Sequence, residues 1–335
     1  MVNYAKFRYK KLIMANSEHL EILEKGLEAW NNWRDENPNI IPDFSNFSFL
    51  QANLCFANFS EANFSETDLY DAVLIETNFN GADLSKANLS YAHLSHADLS
   101  RANLNGANLT HTDFDNTNLS GANLNGVDLS HLNFSETNFS GANLSGANLS
   151  QVEFFNTNLS RANLSGANLI KASLWVDFSD SDLHDAEFYD CVFNETTFRG
   201  ANLSGANLSH AFFCGVNLSH ANLSHANLSD TVLSGANLSH ANLNNANLSF
   251  SQVIATKFSQ ANLTGACIKD WNINHKTELN GVICGYIYLD VDETERRPTN
   301  GNFEPGKFSL LYKKIIESKN LIVSKIFEND EVNNQ

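Results

Sequence analysis

The sequence predicts an all-β solenoid, and three observations carry that prediction. An apolar residue returns at every fifth position, giving 27 centres from Phe44 to Leu174 and 20 more from Phe178 to Ile273. A compact residue (Ala, Thr, Val, Ser or Cys) stands two places before nearly every centre between Ala52 and Ala266, with Leu132 the misfit. Asn or Asp usually precedes the centre, and the two residues after it are mostly Ser, Gly, His or Asn. A spacing of five matches neither the helical period of about 3.6 nor the strand period of about 2. A helix would scatter Leu144, Leu149 and Phe154 around its circumference, and a flat strand would flip alternate centres to opposite faces. A short extended run does fit: small residue in, Asn or Asp out, Leu in, then a two-residue corner. Repetition closes such a chain into coils, whose units must stack to bury their apolar faces.

In its cleanest form, Ser140-Gly141-Ala142-Asn143-Leu144, the unit resembles the pentapeptide-repeat family, A-(D/N)-L-x-x. The resemblance covers about two-thirds of the chain. It implies a right-handed quadrilateral β-helix with four quintets per coil, so that residues twenty apart are vertical neighbours at roughly 4.8 Å. The quintets then make about twelve coils and a length of roughly 55 Å. On that geometry Phe114, Phe134 and Phe154 share one inward column, while Leu183, Leu203, Leu223, Leu243 and Leu263 fill another. Such ladders of identical side chains are akin to those of cross-β stacks.

Residues 1–42 read as an N-terminal cap and 43–273 as the repeat. One helix is expected over 16–36. Asn16 or Ser17 caps it, Glu18 and Glu21 suit its positive end, and Leu20, Leu23, Leu27 and Trp30 form its apolar stripe. Asn37-Pro38 stops it. Its task is to cover the first coil, whose apolar centres and strand edges are otherwise bare. A register slip falls at Ala172-Ser173-Leu174-Trp175-Val176-Asp177-Phe178, where one residue is missing. The expectation there is a bulge or tightened corner with Trp175 pointing outward. Residues 274–335 form a C-terminal segment: quintets decaying through Leu279 and Cys284, a short strand over 286–290, a loop, and a helix from Lys307 to about Phe327. The tail Glu328 to Gln335 is expected to be disordered. Segments Leu23–Asn37 and Leu279–Tyr312 resemble flanking segments of cyanobacterial pentapeptide-repeat proteins.

Most signals of chemistry dissolve into the repeat. Gly301-Asn302-Phe303-Glu304-Pro305-Gly306-Lys307-Phe308 nearly spells a phosphate loop, but Pro305 removes an N–H donor and Phe308 replaces the magnesium-binding hydroxyl. Asn-Leu-Ser triplets match a glycosylation acceptor only because they are consecutive letters of the unit. His111 and His131, like His220 and His240, stand twenty apart, yet the next members of those columns, Tyr91 and Gln151, Gly200 and Gln260, supply no Cys or carboxylate to complete a metal site. Cys191 falls at an inward position, while Cys55 and Cys214 follow their centres and face outward. Five separated cysteines suit a reducing compartment. No apolar run is long enough to span a membrane, and the first residues lack an apolar signal region. The expectation is a cytoplasmic protein that is not an enzyme and calls for no cofactor or metal.

Charge remains. The net charge is −17, and residues 43–273 hold 22 acids against 7 bases. An acidic solenoid resembles the DNA-mimicking topoisomerase inhibitors among quinolone-resistance pentapeptide proteins, yet about 55 Å of duplex carries roughly 32 charges, about twice this excess. Asp68, Asp83, Asp98, Asp113 and Asp128 are fifteen apart and so spiral instead of lining a face. Between Gly200 and Ala266 only Asp230 and Lys257 are charged. One stretch is dense, with Asp177, Asp180, Asp182, Asp185, Glu187, Asp190 and Glu195 uninterrupted by Lys or Arg. The bland reading is that these acids keep a long β-structure soluble. The functional reading is a recognition surface for another protein with a basic face, anchored by Trp175, with no direct nucleic-acid binding. A fallback surface is the C-terminal segment around Arg296, Arg297 and Phe308, and self-association through the ends stays open.

Overall fold

The computed structural model describes residues 15–291 and 293–318, which divide into two compact units, one through Ala167 and one from Asn168. Residues 1–14, the helix beyond Ser318 and the expected tail lie outside the described residues.

Both units are built from the quintet, whose hydrogen bonding shows why each letter is there. In the quintet centred on Leu144, all five N–H groups are satisfied. Ala142 N–H donates to Phe139 O across the preceding corner (2.9 Å), and Asn143 N–H donates back to Ala122 O (2.9 Å). Leu144 and Gly146 N–H donate forward to Asn163 O (2.7 Å) and Ser165 O (2.9 Å). The fifth donor, Ser145 N–H, has no backbone partner and is taken by Asn143 Oδ1 at 3.2 Å. Asn or Asp therefore precedes the centre because its side chain closes the corner, an Asx turn repeated at every coil. The last corner residue has left-handed backbone, as at Asn46 (φ 57°), Gln51 (φ 55°) and Gly146 (φ 64°), which explains the Gly, Asn and Asp at that place.

Coils pair in parallel at a step of twenty residues, usually through one outward residue per face, as in Asp43↔Asn63, Asn63↔Asp83 and Asp83↔Asn103. In the first unit two runs lengthen into strands, β1 (Asn133–Ser135) and β2 (Glu153–Asn158), paired Phe134↔Phe154. The centres are buried, with Phe114, Phe134 and Phe154 stacked at centroid distances of 5.4 and 5.2 Å. Inward Thr residues hide their hydroxyls by donating to a carbonyl of the coil before: Thr67 to Phe44 O, Thr137 to Phe114 O.

The expected single N-terminal helix is two, α1 (Ser17–Glu24) and α2 (Leu27–Glu36), broken at Gly26 with φ 109°. That conformation is open to glycine and ends a helix. Asn16 caps α1 by accepting from Glu18 N–H. The helices do more than bury Trp30 against Phe44 and Phe59; they complete the open β-edge with side chains. Asn31 Nδ2 donates to Phe56 O and its Oδ1 accepts from Asn58 N–H, both at 2.9 Å, as a neighbouring strand would. Trp30 Nε1 donates to Asn58 O, and the buried Arg34 donates to the carbonyls of Ile40 and Ser60. His19 Nδ1 accepts from Asp43 N–H at 3.0 Å. Burial holds the His19 imidazole below its ordinary pKa.

In the second unit the register slip produces neither bulge nor tightened corner. The corner disappears, and β3 (Ser173–Asp177) runs straight through with Leu174, Val176 and Phe178 buried in alternation. It pairs with β4 (Val192–Phe193) at a step of nineteen. Thr196 seals the mismatch, its hydroxyl donating to Leu174 O at 2.7 Å. Leu183, Leu203, Leu223, Leu243 and Leu263 are fully buried. The step grows to twenty-one at Lys257↔Glu278 and Asn262↔Ile283. There Trp271 takes a small-residue place and is buried, leaving Ile273 half-buried. Strands β5 (Ala266–Cys267), β6 (Ile287–Tyr288) and β7 (Arg296–Arg297) form a mixed sheet, β5 parallel to β6 and β6 antiparallel to β7. Helix α3 (Lys307–Ser318) packs Phe308, Leu311 and Tyr312 inward, Tyr312 lying 6.1 Å from Trp271.

Candidate functional site

The dense acidic stretch lies wholly within the second unit, and its residues are of two kinds. Asp177, Asp182 and Glu187 occupy the outward place before a centre, where Asn otherwise stands. They act in the coil: Asp177 Oδ1 accepts from Ser179 N–H (2.8 Å), Asp182 Oδ1 from Asn202 Nδ2 (2.9 Å) and Glu187 Oε2 from Asn207 Nδ2 (2.8 Å). Asp182 also pairs with His184 Nδ1 at 2.9 Å. Burial pushes the Asp182 carboxyl up, but hydrogen bonds from His184 and Asn202 outweigh it and leave it below its ordinary range. Donating to the Asp182 carboxylate raises His184 in turn.

Asp180, Asp185, Asp190 and Glu195 instead sit at left-handed corner places, with φ between 47° and 58°. They mark four successive corners of one coil, so the acids encircle it instead of gathering on a face. Glu at such a place is less favourable than Gly, Asn or Asp. Asp180 and Asp185 lie over Gly200 and Gly205, where an added Cβ would collide with either carboxylate. All four are exposed, and among the described residues none is in an ion pair.

The structure moves Trp175 from the expected outward corner into β3, where it is half-buried. The fallback surface is corrected as well. Phe308 is buried, 1 % exposed, and the Arg296 guanidinium is a brace, donating to Pro298 O and Gly301 O while lying 4.2 Å over the Tyr286 ring.

A second ring escaped the sequence reading. In the first unit Glu61, Glu66, Asp71 and Glu76 fill four successive left-handed corners, with φ from 53° to 60°. The signal was an acid two places after each of four consecutive centres. Two members are engaged, Glu66 with Lys86 Nζ (3.1 Å) and Asp71 with Gln51 Nε2 (3.0 Å).

Little here supports covalent or metal chemistry. His220 and His240 stack face to face at 4.7 Å, and among the described residues no group of three or more His, Cys, Asp and Glu converges on a metal-sized space. Cys191 donates its S–H to Leu169 O, and burial pushes its thiol up to about 12. Cys284 is likewise pushed up to about 12 by burial. No described helix is long and apolar enough to cross a membrane.

The model of a family described as pentapeptide repeats matches in eight copies, over residues 43–74, 67–106, 102–141, 133–169, 177–213, 197–235, 215–249 and 227–270. A comparison with curated proteins finds no match. Among solved structures, the chain is similar to HetL, a pentapeptide repeat protein involved in heterocyst differentiation regulation from the cyanobacterium Nostoc sp. strain PCC 7120. Identity is 27 %, covering 76 % of this chain and 95 % of that one, with a TM-score of 0.34. Rfr23 from the cyanobacterium Cyanothece 51142 is 26 % identical over 34 % of this chain and 89 % of its own, with a TM-score of 0.24. Full-length QnrB1, a plasmid-mediated fluoroquinolone resistance protein, is 21 % identical over 63 % of this chain and 91 % of its own, with a TM-score of 0.26.

Proposed function

Since the chain belongs to the pentapeptide-repeat family, we propose that it is a non-enzymatic scaffold that binds another protein through its outer faces in the cytoplasm. We infer for its repeat a right-handed quadrilateral β-helix of about twelve coils, a reading supported by the twenty-residue pairing step within each unit. The observation that carries the functional reading is the contrast inside the second unit. The coil over 177–195 presents unpaired carboxylates at all four corners, whereas residues 200–266 present a nearly neutral coat. A local negative potential of this kind steers a basic partner and makes association depend on salt. The test is the combined variant Asp180→Asn, Asp185→Asn and Asp190→Asn, since Asn tolerates left-handed backbone and spares the fold. Partner capture from the native cell should weaken and lose its salt dependence. Capture unchanged in strength and salt dependence would place the surface elsewhere.

The second reading is a DNA-mimicking topoisomerase inhibitor. It is favoured by the second acidic ring, Glu61, Glu66, Asp71 and Glu76, which extends outward acidity into the first unit. A gyrase supercoiling assay separates the two readings: inhibition at low micromolar protein favours mimicry, and its absence favours the scaffold.

A further inference from the structure

The outward places of the second unit form four columns, and three of them carry an amide ladder. Asn202, Asn222 and Asn242 each donate Nδ2 to the residue twenty before, at 2.9 to 3.0 Å. Asn207, Asn227 and Asn247 do the same at 2.8 to 3.3 Å, and Asn237 donates to Asn217 at 3.4 Å. The fourth column differs. It reads Val192, Phe212, Val232, then Gln252 and Asn272, each paired in parallel with the next. Val192 is 43 % exposed and Phe212 46 % exposed.

At Phe212 and Val232 the exchange of Asn for an apolar residue gives up two stabilising interactions, and at Val192 as well it puts apolar surface in water. The ladder bond is lost, and the corner N–H groups of Cys214 and Ser234 lack the side-chain acceptor that closes other corners. Folding gains from the exchange only the contact of β-branched and aromatic neighbours along the column, whereas an apolar stripe in a polar coat is what a partner's apolar side chains require. The stripe spans two coil steps, roughly 10 Å, about two turns of a helix.

Its edges define the partner. One edge carries the corners Asp190, His210 and Asp230, and the other begins with Glu195. No Lys or Arg occurs in 189–195, 209–215 or 229–235, and the nearest base on that first edge is Lys171, one coil above Asp190. We propose, resting on the scaffold reading above, that this face docks an amphipathic, basic segment of a partner protein. Its apolar side chains cover Val192, Phe212 and Val232, and its Lys or Arg residues meet Asp190, Asp230 and Glu195. A second copy of the same face fits poorly, because a two-fold axis along or across the face sets Asp190 of one copy against Glu195 or Asp230 of the other, carboxylate on carboxylate.

The test uses the full chain and a fluorescein-labelled helical peptide of about eighteen residues, with one Leu face flanked by Lys. A Leu/Glu peptide of the same pattern is the control, and anisotropy is the readout. The variant is Val192→Asn, Phe212→Asn and Val232→Asn together, which writes the repeat's own letter into the column and should leave the melting temperature unchanged or higher. The Leu/Lys peptide should bind the natural chain, bind the variant about tenfold or more weakly, and weaken in about 0.5 M salt. Equal affinity for chain and variant, or equal binding of the Leu/Glu peptide, overturns the proposal. So does sedimentation showing a dimer that only the variant abolishes, since the occupant is then a second copy. If peptide binding is lost in the variant while capture of the native partner persists, this face is refuted as the docking site and the scaffold reading stands. If peptide binding is lost but the natural chain captures no partner at all, the face is supported and the scaffold reading fails.

Discussion

Replacing ladder asparagines with aspartate should have consequences set by the rung. Asn222 Nδ2 donates to Asn202 Oδ1 at 3.0 Å, while its own Oδ1 accepts from Asn242 Nδ2 (3.0 Å) and Ser224 N–H (3.2 Å). In Asn222→Asp both acceptances survive and gain charge assistance. The upward donation is lost, at about 1 kcal/mol, and two oxygens then face one another. The expected net loss is about 1 kcal/mol at neutral pH. Asn202→Asp should be worse, because Asn202 donates to Asp182 Oδ1 at 2.9 Å. The variant sets two carboxylates one coil apart, and at about 4.8 Å their repulsion is about 1 kcal/mol in water and about 3.5 kcal/mol at a dielectric of about 20. With the lost hydrogen bond, about 2–3 kcal/mol is expected for this half-exposed pair. Asn217 stands beneath Thr197 and heads its ladder, accepting from Asn237 Nδ2 (3.4 Å) and Ser219 N–H (3.1 Å). Asn217→Asp should therefore be neutral or slightly stabilising. Urea unfolding across a pH series measures all three. The new carboxyls at 202 and 222 have folded pKa values raised above their unfolded ones, so their deficits develop as pH rises through the unfolded pKa towards the folded one, and vanish in acid. Equal stability for the three variants, or a deficit at 202 that grows on acidification, would refute the ladder argument.

Three further expectations rest on separate observations. Leu223→Asp buries an unpaired carboxylate at a fully buried centre and should cost more than about 4 kcal/mol, seen as collapse of the melting transition. His19, with its depressed pKa and its Nδ1 accepting from Asp43 N–H, stabilises the cap above its unfolded pKa of about 6.5 and loses that contribution as pH falls towards the lower folded value. The protection factor of the Asp43 amide, which removes the intrinsic slowing of exchange with falling pH, should accordingly drop between neutral pH and about pH 5. Iodoacetamide should label the exposed Cys214 in the native protein and spare Cys191 and Cys284, whose thiols burial pushes up to about 12; mass spectrometry of the labelled chain decides it.

The repeat was legible because its physics is local and recurs: each centre, each compact residue and each Asn performs the same task in every coil. The departures were less legible, since a single residue there answers to neighbours distant in sequence. Gly26 was the visible sign that one helix is two, but the apolar stripe from Leu20 to Trp30 spoke louder than one glycine. Trp175 read as a corner residue because the slip looked like a shortened corner, whereas Val176 and Thr196 together let a strand replace it. The acidic stretch was plain as composition. Its division into rungs and corners, and its course around a coil, required the left-handed places to be known. Asn31 and Arg34 gave no signal in the sequence, because their partners, Phe56, Asn58 and Ser60, lie about twenty-five residues further along.

Those partners have a consequence for how the chain can change in length. The first edge is closed by Asn31, Trp30 and Arg34, side chains fitted to one particular stretch and to no recurring letter of the unit. A coil added at that edge would find no donors and acceptors of its own to meet. Between Ala62 and Ala162, by contrast, each coil bonds residues about twenty away on either side, so twenty extra residues there make the same seams they interrupt. Growth by whole coils in the interior leaves the closure untouched, and growth at the capped edge destroys it. Length variants of this protein should therefore differ by multiples of four quintets inside the repeat, with His19, Trp30, Asn31 and Arg34 retained.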